Sequence, residues 1–260
     1  MKIGVCLKQV PATDTRIQIN ADGSGIVTSE VKWEINPYDE YALEAALQIK
    51  DAKVAKEVVI FTIGAKSCEQ RIRDGLARGA DRAVRIDDPA LANADSLGIG
   101  RALAAALKAE DISLVFCGKQ GVDGDNSQVP GIIAETMGCA QISVVNHVEA
   151  TADTVTAHRA MGGGNTHVVQ ASLPAVVTAD KGLNTPRFAS LPGIMKAKRK
   201  KIVVKSVGDL GLDAASLAPV VVESGYALPP ARPGGRILEG DAASAVSELV
   251  RLLREEAKVI

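Results

Sequence analysis

EVVIFTIGAKSCEQRIRDGLARGADRAVRI, residues 57–86, sets the fold. Residues 57–63 form a short run that is apolar on both faces, bounded by Gly64, and residues 82–86 form another. A helix over residues 66–78 fits between them. A strand that is apolar on both faces belongs inside a parallel sheet with helices on each side. The same alternation runs outward in both directions. Upstream, residues 3–7 read as a buried strand and residue 36 starts a helix. Downstream come a helix at 94–109, a strand at 113–117 and a helix at about 126–137. This order predicts an α/β protein with a doubly wound, mostly parallel sheet.

Smaller features complete the chain. Residues 16–20 and 26–28 flank Asp22-Gly23-Ser24-Gly25, a hairpin signal. Asn36-Pro37 suits a helix start, with Asn36 as a capping side chain and Pro37 where no amide donor is needed. Tyr41, Ala42, Ala45, Ala46 and Ile49 give that helix an apolar face. After Gly138, residues 142–149, 154–159 and 167–171 read as antiparallel strands, with Gly162-Gly163-Gly164 as a turn. Residues 174–178 read as another apolar strand. Residues 180–201 show no clear periodicity, 229–235 read as a linker, and 241–258 as an amphipathic helix with Ala245, Leu249, Leu252 and Leu253 on one face. Set beyond a linker, that helix is placed to pack on another chain.

Composition narrows the function. The 260 residues carry a formal net charge of −1, and 47% are hydrophobic. No global basic field points to nucleic acid. No apolar stretch of 18 residues is present, and the N-terminal apolar run is too short for a signal peptide, so the expected product is not membrane-embedded. Cys6, Cys68, Cys117 and Cys139 form no CxxC pair and read as small buried hydrophobes. His147, His158 and His167 lack helical zinc spacing, so no metal site is expected. No Ser/His/Asp order or HExxH stands out, so no catalytic residue is assigned.

Two segments carry candidate chemistry. Residues 118–128, GKQGVDGDNSQ, follow a strand and precede a helix. Glycines let amides approach a phosphate, and a helix start favours an anion. Asn126 and Ser127 can cap the helix or bond that anion. The loop matches neither GxxxxGK[ST] nor GxGxxG, so an ordinary polar loop stays open as the alternative. Residues 188–201, FASLPGIMKAKRKK, place Leu191, Ile194 and Met195 ahead of five cations, Lys196, Lys198, Arg199, Lys200 and Lys201. A solvated charge run, a nucleic-acid patch and a partner-docking loop compete. Exposed apolar anchors favour docking, and the scarcity of aromatics weakens single-strand binding.

VVTADKGLNTPRFASLPGIMKAKRKK (residues 176–201) strongly resembles the signature of electron-transfer flavoprotein β subunits. VCLKQVP from Val5, NPYDEYALEAAL from Asn36, RGADR from Arg78 and GKQGVDGDNSQ from Gly118 match in order and spacing, so the resemblance covers nearly the whole chain. It implies an adenine-nucleotide α-hydrolase-like fold over residues 1–228, with a recognition loop at 184–201. Residues 229–260 would be a linker and C-terminal helical arm packing on an α subunit. It also implies an α/β heterodimer with FAD shared with the α subunit, and AMP, or a second FAD in electron-bifurcating members, in the β subunit. Matching cofactor positions are Cys6, Asn36, Pro37, Tyr38, Asp39, Ile63, Gly118, Lys119, Gln120, Gly121, Val122, Asp123, Gly124, Asp125, Asn126, Ser127, Gln128 and Val129. Tyr38 matches the aromatic residue that reaches the α-bound flavin ring. Leu191, Pro192, Ile194 and Met195 match the partner-docking residues, and Arg159 a basic residue near the subunit interface.

The function implied is electron relay from flavin dehydrogenases, such as the acyl-CoA dehydrogenases of fatty acid oxidation, to a quinone-linked acceptor. The compartment implied is the bacterial cytoplasm, or the mitochondrial matrix in a eukaryote. A stand-alone adenine-nucleotide sensor is the reading from another class. Three positions depart from the pattern: Pro130 replaces a usual Gly, His158 stands where an acidic residue is common, and Gly124 where many AMP-type members carry a larger side chain. Gly124 and Asn36-Pro37-Tyr38-Asp39 resemble bifurcating members, whereas Gly162-Gly163-Gly164 resembles the AMP type; both readings stay open, and AMP is the one taken first.

Overall fold

The computed structural model describes residues 1–232 and 234–260. Its framework is a nine-stranded sheet. The strands, in chain order, are β1 (Lys2–Cys6), β4 (Glu57–Ile63), β5 (Arg82–Ile86), β6 (Leu114–Gly118), β7 (Ala140–Ala150), β8 (Thr154–Gly162), β9 (Asn165–Ser172), β10 (Ala175–Ala179) and β11 (Ile202–Lys205). They lie in the order β11-β5-β4-β1-β6-β10-β7-β8-β9. Every pairing from β11 to β7 is parallel, and β8 and β9 add an antiparallel extension. β2 (Gln9–Pro11) and β3 (Trp33–Ile35) make a separate antiparallel pair.

Two apolar layers sandwich the sheet. On one face α1 (Pro37–Asp51) and α2 (Glu69–Arg78) pack Leu43, Leu47, Ile72 and Leu76 against Val5, Ile60 and Phe116. On the other, α3 (Ser96–Ala109) and α4 (Val129–Met137) pack Leu103, Leu107 and Ile133 against Val59, Phe61 and Val115. Alternate residues of one strand thus serve opposite layers, which is why the runs read as apolar throughout. Phe61 and Phe116 are wholly buried, each contributing roughly 2–3 kcal/mol of burial.

Several sequence expectations are corrected. The hairpin at 16–28 reduces to one bridge, Ile19 to Ile26, because an isolated two-stranded ribbon gains little without a sheet beside it. The helix placed at 94–109 starts at Ser96, since the Asp95 carboxylate accepts from Leu97 N at 3.0 Å and Gly98 N at 3.1 Å. The helix placed at 66–78 opens with a 3₁₀ turn, Lys66–Cys68. The helix placed at 126 starts at Val129, because Asp125 and Ser127 adopt left-handed φ of 49° and 54°, which break a helix. The strand at 140–150 is antiparallel to β8 only. Its other edge runs parallel to β10, which inserts between β6 and β7.

Residues 180–201, read as irregular, contain α5 (Leu191–Arg199), capped where Ser190 Oγ accepts from Gly193 N at 3.1 Å. β2, β3 and β11 were not anticipated. α6 (Ala242–Glu255) lies within the C-terminal helix read from sequence, with Asp241 as its cap and none of its residues buried. The stretch read as a linker, 229–235, has no regular element among its described residues, and Pro233 lies outside them. Among the described residues no helix is long and apolar enough to cross a membrane.

Candidate functional site

β4 lies on one side of β1 and β6 on the other, so strand order reverses there. In open parallel sheets the ligand position lies beyond the carboxyl ends of the strands at such a switch point. Three segments meet there: the chain after β1, the start of α1, and the glycine-bearing loop after β6.

Asp39 ties them together. Its Oδ2 accepts from Lys8 N at 2.7 Å, and its Oδ1 from Gly118 N at 3.0 Å and Asn36 Nδ2 at 2.9 Å. Burial pushes its carboxyl up to about 7, against the downward pull of those three donors and of the Lys8 charge. Asn36 completes the knot. Its Nδ2 donates to Gln120 O at 2.9 Å and its Oδ1 accepts from Val122 N at 3.1 Å. The capping role expected of the Asn36 side chain is therefore corrected: it makes no cap bond and is spent on the neighbouring loop. Gly118 is required by close approach, since a Cβ there would stand 2.6 Å from Tyr38 Cβ and collide with the Asp39 carboxylate.

Charged groups around this knot are paired across segments. Lys8 Nζ binds Asp123 Oδ1 at 2.7 Å, and Lys119 Nζ binds Asp180 Oδ1 at 2.9 Å while lying 4.9 Å from the centre of the Tyr38 ring. The Asp180 hydrogen bond raises the Lys119 ammonium above its ordinary range. Gln120 Nε2 donates to Asp125 Oδ1 at 2.5 Å, and Ser127 Oγ to Gln120 Oε1 at 3.2 Å. Asp123 and Asp125 thus bond side chains of their own loop and of Lys8. Beneath this knot Cys6 and Cys117 are neighbours on β1 and β6. The Cys6 thiol and then burial hold the Cys117 thiol far above its usual range. Ile63, at the end of β4, packs on the same layer as those two residues.

The start of α4 carries no side-chain cap. Asn126 and Ser127 do not cap it; Asn126 Nδ2 donates instead to Ser96 Oγ at 3.0 Å. Gln128 occupies the cap position with no side-chain cap bond. First-turn amides without partners, at the positive end of a helix dipole, match a phosphate group. Left-handed Asp125 and Ser127 add backbone strain of the kind found at binding loops. Pro130 in that first turn removes one donor, so the amides of Val129 and Gly131 remain. The donor set fits a phosphate-bearing nucleotide.

The docking candidates lie elsewhere, on the first turns of α5. Leu191 is 80% exposed, Met195 60% and Ile194 41%, with Pro192 exposed between them and Phe188 94% exposed just before. The expected loop is a fixed helix. Gly193 lies against the Ala77 carbonyl so closely that no Cβ fits. Arg73 Nη1 donates to Ala197 O at 2.6 Å and Lys200 O at 2.7 Å, closing the helix end. Lys200 turns inward to the Leu76 and Ala80 carbonyls, and burial lowers its ammonium. Among the described residues none of Lys196, Lys198, Arg199 and Lys201 forms an ion pair.

Upstream, the half-buried Arg187 forks onto the buried Glu44 carboxylate at 2.8 and 3.0 Å, and Asn184 Nδ2 donates to Tyr41 O at 2.9 Å. These holders were missed from sequence, where Glu44 and Arg187 stand 143 residues apart. Arg159 is exposed on β8, and β10 and β7 separate it from β6, so it does not join the switch-point segments.

The architecture is that of an α/β protein with three segments tied together at the switch point of its sheet and a separate exposed apolar turn. The electron transfer flavoprotein domain family matches residues 24–210. The electron transfer flavoprotein subunit beta of Mus musculus is 38% identical over 259 residues, covering 98% of this chain and 97% of its own. The Bradyrhizobium diazoefficiens protein of that name is 36% identical over 260 residues, all of both chains. The mitochondrial one of Arabidopsis thaliana is 37% identical over 262 residues, again all of both. The chain belongs to the electron-transfer flavoprotein β-subunit family.

Proposed function

We propose that this chain pairs with an electron-transfer flavoprotein α subunit, shares its FAD, and relays electrons from flavin dehydrogenases, such as acyl-CoA dehydrogenases, to a quinone-linked acceptor. FAD would supply the redox chemistry, and the chain's own residues supply placement and electrostatics. AMP would sit at the switch point. The uncapped start of α4 supports this most directly, because it offers backbone donors to a phosphate and no side chain competes for them. Gly118, Gly121 and residues 122–129 would line the nucleotide, with Cys6 and Ile63 forming the apolar floor. Tyr38, backed by the Lys119–Asp180 pair, would face the flavin side.

In this reading α5 is the recognition element. Leu191, Pro192, Ile194 and Met195 would seat in a partner dehydrogenase, while Arg73 and Lys200 hold the helix from behind. A small apolar anchor gives the weak, fast-exchanging contact that transient redox encounters use. Arg159 and α6, together with residues 229–260, would meet the α subunit. α6 keeps Val246, Leu249 and Val250 exposed, an apolar face suited to burial on another chain.

One observation favours a second FAD in place of AMP, as in bifurcating members. Gly124 resembles bifurcating members, and a Cβ there would meet nothing within 4 Å, so no side chain of this chain fills the place. Acid extraction of the co-purified heterodimer, counting FAD and AMP, separates the two readings. One FAD and one AMP per heterodimer is expected; two FAD would make the chain a bifurcating subunit. A colourless complex after flavin is supplied would remove both.

A further inference from the structure

His147 and His158 stand eleven positions apart in a sequence without metal-binding spacing, yet the antiparallel pairing of β7 and β8 sets them directly opposite each other. Their ring centroids are 4.5 Å apart and the planes inclined by 45°. The next register pair, Val148 and Ala157, turns toward the core layer under α1 and α2, so the imidazoles project from the opposite face of the sheet. The His147 side chain is 50% exposed. Glu149, two residues along the same face, places Oε1 at 3.3 Å from His147 Nε2. Thr156, bonded by Gln170 Nε2 at 3.1 Å, flanks the pair.

We infer that His147 and His158 form a two-histidine site for a borderline divalent transition metal of the zinc type, with Glu149 orienting His147. Imidazole nitrogen is the ligand such ions prefer. Bonds of 2.0–2.1 Å at a tetrahedral angle put two ligating nitrogens about 3.3 Å apart. Directly opposed residues on antiparallel strands, with Cβ atoms about 4.5–5.5 Å apart, supply that spacing after a small rotation of either ring. The register shifts between Val145 and His147, and from His147 to Ala150 the ladder runs unbroken and holds both backbones. A carboxylate on one ring nitrogen fixes the tautomer and frees the other nitrogen for the metal, the usual support behind a metal-bound histidine. Water would fill the remaining positions. The site stands apart from the switch-point segments and from α5, and does not rest on the proposed electron relay.

Zn²⁺ titration of the full chain with its subunit partner, after chelator treatment and in competition with a chromogenic indicator, tests the assignment. One saturable Zn²⁺ per chain is expected. His147→Ala and His158→Ala should each weaken it by about tenfold or more. His167→Ala should not, because His167 pairs with Arg159 on the other face. Copper(II) bound to the same protein should show hyperfine coupling to two imidazole nitrogens, a readout independent of the variants' folding. Absence of saturable binding, wild-type affinity in either single variant, or coupling to one nitrogen would overturn the site.

Discussion

The switch-point site and the α5 surface solve opposite problems with similar means. At the switch point, polar side chains are buried and consumed internally, so the backbone of three segments is locked and little but amide donors is left for a ligand. On α5, apolar side chains face outward while two half-buried cations fix its end from behind, Arg73 on the Ala197 and Lys200 carbonyls and Lys200 on the Leu76 carbonyl. One region buries the Asp39 carboxylate to fix three segments against one another. The other exposes its hydrophobic groups on a helix held rigid from behind. Polar groups that look like ligand contacts can therefore be scaffolding, and a stretch that looks like a mobile loop can be a preorganised handle.

The largest effect should come from Asp39→Ala. It leaves the Lys8 and Gly118 amides and the Asn36 side chain without their acceptor at a buried position, costing about 3 kcal/mol. Bound nucleotide should be lost as the loop after β6 loosens. Denaturant unfolding and nucleotide counting check this; a variant as stable as the wild type would remove Asp39 from the centre of the site. A pH signature accompanies it. The folded value of about 7 lies above the ordinary carboxylate value of 3.8, so the folded state takes up a proton. The stability this group contributes is present below pH 4 and is lost as pH rises through about 7, a change of a few kcal/mol at most. Wild-type stability should fall over that window relative to Asp39→Ala.

Arg187→Ala should rank next, at about 2 kcal/mol, because Glu44 then stays buried without its partner. Glu44→Gln combined with Arg187→Ala should restore part of the loss, since no charge is stranded. If the single change costs nothing in thermal unfolding, the fork onto α1 does not hold residues 180–190. Partner docking should weaken along with stability here, in contrast to changes on the α5 face.

What the sequence disclosed tracks the distance over which each feature is determined. β4, β5 and β6 were legible because a run buried on two faces has a local signature. The glycine-bearing loop was legible as a ligand candidate because it sits between a strand and a helix. The role of Asn36 was misread as a cap because its partners, Gln120 and Val122, lie more than 80 residues away. α5 was hidden because Pro192 and Gly193 resemble loop punctuation, although Pro192 fits a first turn and Gly193 is demanded by the Ala77 carbonyl. β11 reads as an ordinary short apolar stretch until β5 offers it an edge. The histidine pair depends on a register that composition does not encode.

Leu191→Ala should have the smallest effect on the fold and a selective one on exchange with a partner. At 80% exposure its side chain shields little, so stability should change by less than about 0.5 kcal/mol. Truncating a central apolar anchor in a small interface typically costs about 1–2 kcal/mol of binding. Reduction of the heterodimer's flavin by an acyl-CoA dehydrogenase should therefore slow roughly tenfold at limiting protein, with flavin content unchanged. Gly193→Ala gives the complementary case. It leaves Leu191 intact but lifts α5 from Ala77, so it should impair the same exchange through the helix's position. If Gly193→Ala slows exchange as much as Leu191→Ala, the rigid seat matters as much as the anchor. If only Leu191→Ala does, the side chain acts wherever the turn happens to lie.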